Sequence, residues 1–291
     1  MKKTFVILAG LFLIVSCTNK SNERAIPFKG IQNGRELGGL VMQDGRSIIH
    51  GKLVRSGDLS EAKDKDVAIL KDRFHLTDVF DFRLDTDLQE EPDQVIDGVT
   101  YTHLSTLPLA YAQGFSFGSA DTTQVESGNL LEALTKYAFD PEAQQMAKNL
   151  YPAIVADTLS QKRYGEFLKG VLNADGGVLW HCSQGKDRAG WGTAFVLAAL
   201  GAGRETIVED FGLTNESYAR YVKYISSRVR KMGGGEEEIA FIQAMVGVSV
   251  EYFESALDQI DAQYGSIGAY LEEALGFTAQ EQEQLREKYL E

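Results

Sequence analysis

The amino-acid sequence predicts an α/β fold in which a sheet is flanked by helices. From Phe28 onward, short apolar runs alternate with segments whose apolar residues recur at helical spacing, a pattern typical of strands and helices packed in layers. The chain has 291 residues, of which 44% are apolar, and this is enough to bury one large core. Together these observations favour a globular domain of enzyme size.

Four short apolar runs are the predicted strands of the sheet. They cover residues 53–56, 76–82, 99–104 and 178–180. Their lengths and the turn residues around them are typical of strands. Asp175, Gly176 and Gly177 form a turn signal directly before the last of them.

Apolar residues at helical spacing predict helices between and after these strands. Ser60 is an N-cap signal for a helix over residues 60–74, whose early acidic residues suit the helix dipole. One apolar face predicts a helix over 152–173, and a continuous apolar stretch predicts a buried helix over 190–200. The remaining chain has a helical pattern, with a break and a candidate hinge at the three glycines 233–235.

Residues 105–150 carry glycines, polar clusters and only a loose helical pattern. We interpret them as an insertion that folds over a functional site as a lid, and an ordinary surface excursion is the alternative. The sequence contains no internal repeat, and residues 28–291 are predicted to form a single domain.

The first residues have the layout of a secretory signal. Lys2 and Lys3 precede an apolar stretch over 5–15, which is too short for a membrane span because a span takes about 20 apolar residues. The stretch ends at Ser16 and Cys17, in a sequence that resembles a bacterial lipobox, in which the cysteine is acylated after cleavage. A plain cleaved signal is the alternative.

We therefore expect residues 1–16 to be a lipoprotein signal peptide and residues 17–27 to be a polar tether. Cys17 is the predicted lipidation site. The expected location is the cell envelope, either periplasmic or at the cell surface, with the protein held on the membrane by the lipid.

The charge and the cysteine content narrow the range of functions. Loss of residues 1–16 removes two lysines and no acid, so the formal net charge changes from -13 to -15. Such a chain is a poor general binder of nucleic acid or anionic lipid, because its long-range field repels both. Cys182 has no intramolecular partner besides the predicted anchor, so the fold cannot depend on an internal disulfide.

The stretch with the strongest chemical signal lies between a predicted strand and a predicted helix. It reads His181-Cys182-Ser183-Gln184-Gly185-Lys186-Asp187-Arg188-Ala189-Gly190. A loop from a strand to a helix N-terminus points backbone N–H groups inward and makes an anion site. Cys182 would lie at the floor of this cup as a thiolate nucleophile, and Arg188 would bind two phosphate oxygens. His181 and Lys186 add positive charge nearby.

Other interpretations of this stretch are weaker. A buried structural thiol is the usual fate of a lone cysteine, but it gives no reason for the glycine, lysine, aspartate and arginine that follow. A nucleotide-binding P-loop does not fit, because Trp180 replaces its first glycine and Asp187 replaces its Ser or Thr. His50, His75 and His103 lack ligand spacing, so neither a metal nor another cofactor is predicted.

The chain resembles the secreted bacterial tyrosine and phosphoinositide phosphatases of the PtpB-like type, within the Cys-x5-Arg phosphatase superfamily. The resemblance lies in four stretches, which are Asn33-Gly34-Arg35-Glu36-Leu37-Gly38-Gly39, Arg55-Ser56-Gly57-Asp58-Leu59, Asp81-Phe82-Arg83 and the cysteine loop. It implies a central, mostly parallel sheet flanked by helices with a helical lid. It also implies metal-independent hydrolysis of phosphate monoesters through a phosphocysteine.

The resemblance assigns roles to residues of this sequence. Cys182, Arg188 and Asp187 become the catalytic residues, with Asp187 as the first candidate for general acid and Asp81 and Asp85 behind it. An alternative role for Asp187 is to orient Arg188. The implied substrate-binding residues are His181, Ser183, Gln184, Gly185, Lys186, Arg83 and Arg55. The implied partner is a phosphorylated protein, a phosphoinositide or an inositol phosphate.

Two departures from the family pattern are visible. Ala189 stands where the family usually has a threonine, whose hydroxyl hydrogen-bonds the thiolate, and Glu36 replaces an aspartate. Two rival functions stay open, and the change at 189 favours the second of them. One is a rhodanese-like sulfurtransferase that carries a persulfide on Cys182, and the other is a weakly catalytic module that binds phosphoryl groups.

Overall fold

The computed structural model describes residues 21–109, 111 and 128–291, and it confirms the α/β fold. Five strands form one sheet in the order β1-β2-β5-β3-β4. They are β1 Arg35–Glu36, β2 Leu53–Ser56, β3 Leu76–Asp81, β4 Thr100–His103 and β5 Gly177–His181. β1 pairs antiparallel with β2, and the other described pairs are parallel.

Helices surround this sheet. They are α1 Ser21–Arg24, α2 Asp64–Ala68, α3 Asp85–Glu90, α4 Gly128–Ala138, α5 Pro141–Ala156, α6 Thr158–Asn173, α7 Asp187–Leu200, α8 Arg204–Gly212, α9 Thr214–Lys231, α10 Glu236–Val246, α11 Val250–Tyr264, α12 Ile267–Glu273 and α13 Ala279–Tyr289. A π-helical turn, Ile69–Arg73, continues α2. Across the described ranges, no helix has both the length and the apolar composition that a membrane crossing requires.

The predicted strands agree with the observed ones to within one or two residues. The predicted buried helix over 190–200 is also present, as the greater part of α7. The three glycines 233–235 separate α9 from α10, and this confirms the predicted break. Whether the break acts as a hinge stays a prediction.

Two helix predictions are wrong at their boundaries, and a carboxylate is the cause each time. The helix predicted from Ser60 begins at Asp64, because the Asp66 carboxylate accepts a hydrogen bond from Lys63 N at 3.0 Å and fixes the first turn there. The helix predicted over 152–173 is two helices. Asp157 ends α5 and caps α6 by accepting from Ser160 N at 2.7 Å.

The core has two parts because side chains alternate across the sheet. Val178, Trp180 and Phe80 face a large cluster that includes most of α7 and parts of α5, α6, α11 and α13. Leu179 and Val54 face a smaller cluster beneath α2 and the π-helical turn. Both faces of the central strands are therefore covered, as expected for a parallel sheet.

A third apolar cluster lies among α4, α5, α9 and α10, which we call the helical cap. Its buried members are Leu134, Ala138, Ala143, Ala147, Ile225, Val229, Phe241, Ile242 and Val246. The described part of the predicted insertion 105–150 supplies α4 and the first half of α5 to this cap. Residues 110 and 112–127 lie outside the described residues, and the action of the segment as a lid stays a prediction.

The last residues of the predicted tether 17–27 contact the domain. Ile26 is buried, Ala25 forms a bridge with Arg35, and the Arg24 side chain is paired with Asp210 at 2.8 Å. An apolar residue and a buried ion pair fix residues 24–27 to the domain. The predicted signal peptide 1–16 and Cys17 lie outside the described residues, and the single-domain assignment of 28–291 stays a prediction.

Candidate active site

The site forms where the carboxyl ends of the parallel strands meet. Register pairs His181 with both Ser56 and Asp81, so the ends of three strands lie side by side beneath the loop that follows β5. Cys182 opens this loop and is 2% exposed, and α7 begins five residues later at Asp187. The loop therefore points its amides and a helix N-terminus at one small volume.

Gly185 lets the loop turn this tightly. Its φ is +64°, a conformation that L side chains rarely adopt. A Cβ atom at this position would lie 2.2 Å from Ser56 O and 2.4 Å from Gly57 N. The loop consequently packs directly on the backbone of the strand end, and only glycine allows this contact.

Arg188 is fixed over the loop by its neighbours. Its Nη2 donates to Ser183 Oγ at 3.1 Å and its Nη1 donates to Phe82 O at 3.3 Å, with Asp87 Oδ2 3.6 Å away. Burial opposes the charged guanidinium, but the charges of Cys182 and Asp87 outweigh it and raise the pKa of Arg188. The guanidinium is thus held charged beside the cysteine.

Asp187 is partly exposed, and its carboxylate accepts a hydrogen bond from a residue of α5. One oxygen accepts from Tyr151 Oη at 2.7 Å, and Lys186 Nζ lies 3.7 Å from the other. Tyr151 is buried on α5. These contacts orient the Asp187 carboxylate beside the cysteine loop, and its protonation of a leaving group stays a prediction.

Lys186 points into the helical cap. It is 6% exposed, and its Nζ donates to Gly247 O at 3.0 Å and to Met245 O at the end of α10. Tyr218 of α9 makes a second connection, because its Oη donates to Gln184 O at 2.9 Å. Both contacts join the cysteine loop to the cap, and a substrate contact of Lys186 stays a prediction.

Arg55 supports the loop from below and is fully buried. Its Nη2 donates to Gly185 O at 2.6 Å and to Lys186 O at 3.2 Å. Asn33 donates to the same Gly185 O at 2.9 Å. These contacts fix loop carbonyls, so Arg55 acts here on the loop backbone, and its predicted contact with substrate is not tested.

Asp210 of α8 gathers the arginines beneath the loop. Its carboxylate lies 2.8 Å from Arg24, 3.0 Å from Arg35 and 3.4 Å from Arg55. Burial alone would raise the pKa of Asp210, but the three arginines lower it far below its usual range. One buried anion therefore connects α1, β1 and β2 to the loop.

A second buried network contains His181 and Arg83. Arg83 Nη2 lies 2.8 Å from Asp81 Oδ2 and 2.9 Å from Asp93 Oδ1, and His181 Nε2 lies 3.0 Å from Asp93 Oδ2. Burial lowers the pKa of His181, but the two carboxylates raise it by more. Asp81, the second candidate acid, is thus engaged by Arg83. The third, Asp85, is 85% exposed and lies 3.4 Å from His103.

This network also has the composition of a metal site. Asp81, Asp93 and His181 offer ligand atoms within 4.8 Å of one another. Arg83 already hydrogen-bonds Asp81 and ion-pairs Asp93, so together with His181 it supplies the positive charge that balances them. We assign the cluster a supporting role beneath the cysteine loop.

The surroundings of Ala189 decide which hydrogen bonds the Cys182 thiolate can accept. Ala189 is buried, and its carbonyl accepts a hydrogen bond from the Thr193 hydroxyl at 2.8 Å. Ser183 Oγ is engaged with Arg188. Among the described residues, no hydrogen bond reaches Cys182 Sγ. An alanine at 189 therefore provides no hydroxyl for the thiolate.

A cleft of about 330 Å³ adjoins the loop on its Ser183 side. It is lined by Gly30, Gln32, Asp58, Ser60, Glu61, Glu90, Glu91, Pro92, Ser183 and Gln184. Four of these residues are acidic, and the cysteine loop forms one wall. The approach to the site from this side is therefore negative, whereas the loop itself is suited to an anion.

Several residues that hold the site carry no functional signal in the sequence. They are Asp87, Asp93, Tyr151, Asp210 and Tyr218. Each acts through a contact that is distant in sequence, such as Tyr151 with Asp187 or Tyr218 with Gln184. No local pattern marks such contacts.

Comparisons with known proteins agree with this geometry. A family model described as the tyrosine phosphatase family matches residues 26–291. The chain is 30% identical over 248 residues to the triple specificity protein phosphatase PtpB of Mycobacterium tuberculosis, an alignment that covers 77% of this chain and 86% of PtpB. It is 27% identical over 255 residues to a Cupriavidus necator protein assigned by name to the tyrosine-protein phosphatases, covering 86% of this chain and 84% of that protein. The chain therefore belongs to the tyrosine phosphatase family and is a cysteine-dependent phosphoric monoester hydrolase.

Proposed function

We propose that the protein hydrolyses phosphotyrosine in proteins through a phosphocysteine on Cys182. The observation that carries the proposal is the loop between β5 and α7, which places a buried cysteine and a charged arginine at one helix N-terminus. This arrangement binds a phosphate dianion and presents a nucleophile to its phosphorus.

Each step uses a residue of the loop. The Cys182 thiolate attacks phosphorus, and the phosphorus–oxygen bond of the ester breaks as the sulfur–phosphorus bond forms. Arg188 and the loop amides hold the equatorial oxygens. Asp187 donates its proton to the leaving oxygen and then takes one from the water that releases inorganic phosphate. The thiolate is thereby restored.

The charge of the adjoining cleft supports a peptide substrate over a polyanionic one. Asp58, Glu61, Glu90 and Glu91 line it and favour cationic residues near the phosphotyrosine. Phosphoserine, phosphothreonine and phosphoinositides are secondary candidates. They follow from the resemblance to tyrosine and phosphoinositide phosphatases, and the relative PtpB is named a triple specificity protein phosphatase.

A substrate panel in the presence of chelator tests this proposal. We expect phosphotyrosine peptides to give the highest kcat/KM, with lysine-flanked peptides about two- to fivefold better than glutamate-flanked ones, the range of single surface charge contacts. Glu61→Gln with Glu90→Gln should remove that preference and leave aryl phosphate hydrolysis unchanged. Phosphoinositides hydrolysed faster than every peptide would contradict the assignment.

The two rival functions give different results in the same experiments. A sulfurtransferase would transfer sulfur from thiosulfate and leave aryl phosphates intact. A module that only binds phosphoryl groups would bind phosphate without turnover. The second rival is favoured by one observation, the missing hydroxyl at Ala189.

We also propose that the protein is a lipoprotein of the cell envelope, acylated at Cys17. The support is the sequence of residues 1–17, with its basic start, short apolar stretch and terminal cysteine. Cys17→Ala should release the protein from membranes at high salt, where surface charge contacts are screened, and leave its specific activity unchanged. A variant that still fractionates with membrane would place the anchor elsewhere.

A further inference from the structure

One face of α9 is basic in a protein that is otherwise acidic. Five basic residues lie on the helix, all exposed, namely Arg220, Lys223, Arg228, Arg230 and Lys231. Glu216 is the one acidic residue of α9. From residue 220 to residue 231 the helix rises by about 17 Å. Meanwhile Ile225 and Val229 bury the opposite side of the helix in the cap.

These basic side chains have no ion-pair partner among the residues that the structure describes. Several exposed basic residues elsewhere on the surface are paired, as Arg204 is with Asp258 and Asp261. Glu236, Glu237 and Glu238 follow the glycine turn after α9, yet the Glu238 carboxylate caps Gly235 N at 2.8 Å. The positive charge of the face is therefore not neutralised within the described fold.

Exposed apolar side chains lie on and beside the same face. Tyr224 is 50% exposed within the basic stripe, and Met232 at its end is 61% exposed. Phe139 is 40% exposed and adjoins this end, because its Cζ lies 3.2 Å from the position of a Cβ on Gly234. A basic helix face that also exposes aromatic and apolar side chains is suited to contact with an anionic lipid surface.

We propose that this face of α9, with Phe139 and Met232 at its end, docks on an anionic phospholipid surface. The basic residues match the lipid phosphates, and the apolar side chains match the boundary between head groups and acyl chains. The net charge of -13 does not prevent this, because at physiological ionic strength charges beyond about 8 Å are screened and the local face dominates at contact. Double-stranded nucleic acid matches the charge but offers no partner for the apolar residues.

The same helix contacts the catalytic loop, so docking places the site close to the surface. Tyr218, near the start of α9, donates to Gln184 O at 2.9 Å. Docking nonetheless differs from substrate binding, because none of the basic residues touches the loop. The vesicle experiment below can therefore fail or succeed independently of the phosphatase assays.

The test measures partition of the full chain carrying Cys17→Ala onto vesicles of phosphatidylcholine with and without phosphatidylglycerol. Binding to phosphatidylcholine alone reports the contribution of the N-terminal apolar segment. The part of the excess on phosphatidylglycerol that is lost on substitution of α9 residues reports the face. We expect an excess that is lost at high salt. The excess partition onto phosphatidylglycerol should fall on the order of a hundredfold, at about fivefold per charge, in a variant that combines Lys223→Gln, Arg228→Gln and Lys231→Gln.

A matched control removes the same charge from other helices, with Lys65→Gln, Lys71→Gln and Lys162→Gln. We expect the control to keep its excess to within about threefold, and both variants to keep the parent's activity on aryl phosphate. Equal binding to the two vesicle types, or an equal loss in both variants, would overturn the proposal. Tighter binding to a duplex DNA than to phosphatidylglycerol vesicles would overturn it as well.

Discussion

Asp187 is held in one orientation by a buried phenol. Tyr151 donates to it at 2.7 Å, and burial, aided by the Asp187 charge, raises the pKa of Tyr151 well above its usual value. The phenol therefore remains protonated and donates throughout the working pH range. Tyr151 is a positioning residue for the proposed general acid.

Tyr151→Phe should lower kcat by about tenfold, because a hydrogen bond to a charged group contributes about 1.5 to 3 kcal/mol. Asp187→Asn should lower kcat by roughly 10²- to 10⁴-fold, the usual contribution of a general acid. The basic limb of the pH–rate profile should move to higher pH in Tyr151→Phe, since the lost bond favours the charged carboxylate. Profiles with an aryl phosphate measure both effects.

A matched control for this change is Tyr270→Phe. Tyr270 is also buried, and its hydroxyl donates to Val155 O at 2.8 Å, away from the loop. The control should leave the pH profile in place. If both variants lose activity equally and neither profile moves, Tyr151 is structural only.

Ala189 has no hydroxyl that could donate a hydrogen bond to the departing thiolate. Breakdown of the phosphocysteine should then limit the rate, and an aryl phosphate should give a burst of phenol followed by slow turnover. Ala189→Thr should raise the steady rate by roughly tenfold or more and reduce the burst, because a bond to a charged group contributes about 1.5 to 3 kcal/mol. Stopped-flow measurement of phenol release distinguishes the two phases.

The same substitution has an independent readout. A hydroxyl that donates to the thiolate should lower the pH at which Cys182 is alkylated. Ala189→Ser offers the same donor without the methyl group and should act in the same direction. A parent without a burst, or an Ala189→Thr variant that is no faster, would show that another group already fulfils this role.

At the scale of elements, Asp210 connects α8 to the N-terminal segment and to the cysteine loop. Its three arginine partners come from α1, β1 and β2, and one of them, Arg55, fixes the loop carbonyls. Removal of the carboxylate leaves three guanidinium groups close together and mostly buried. We therefore expect the cysteine loop to lose its geometry and the fold to lose stability.

Asp210→Asn should lower the free energy of unfolding at pH 7 by about 3–5 kcal/mol, the usual cost of breaking a buried ion pair. Because the folded pKa of Asp210 is lowered, this stability is present above its unfolded pKa of about 3.9 and is lost as the pH falls below it. The difference between parent and variant should therefore shrink in acid. Urea unfolding of parent and variant at pH 7 and at a pH below about 3.9 measures this difference.

Asp258→Asn is the matched control, because Asp258 also pairs with an arginine but is 71% exposed. It should cost less than about 1 kcal/mol, as exposed ion pairs do. An Asp210→Asn variant as stable as Asp258→Asn would contradict the supporting role of Asp210.

The strands could be predicted from sequence because their signal is local. The run over 53–56 is bounded by turn residues and coincides with β2. Helix boundaries were predicted less well, because a single carboxylate decides them. Asp157 splits an apolar face that continues on both sides of it, and apolar spacing does not reveal such a cap.

At the scale of the molecule, the cysteine loop was predictable and its support was not. Cys182, Gly185 and Arg188 lie within seven consecutive residues, and their spacing fixes a geometry. Asp210 reaches Arg35 across 175 residues, and Asp93 reaches His181 across the sheet. Contacts of this range depend on the whole fold and leave no local trace.

Net charge also conceals the arrangement of charge over the molecule. The chain is acidic overall, and the cleft beside the site is acidic too. Yet α9 carries five exposed basic residues on one helix. The mean charge of the chain disfavours anionic partners but does not reveal this basic face.

The measurement that tests the central claim most directly is the detection of the covalent intermediate on Cys182. The parent is mixed with an aryl phosphate, quenched in acid during the burst and digested, and the phosphorylated peptide is identified by mass. We expect one phosphoryl group on Cys182, and we expect Cys182→Ser to bind phosphate without turning over. A phosphoryl group on another residue, or a Cys182→Ser variant that keeps more than a few per cent of the activity, would contradict the cysteine mechanism.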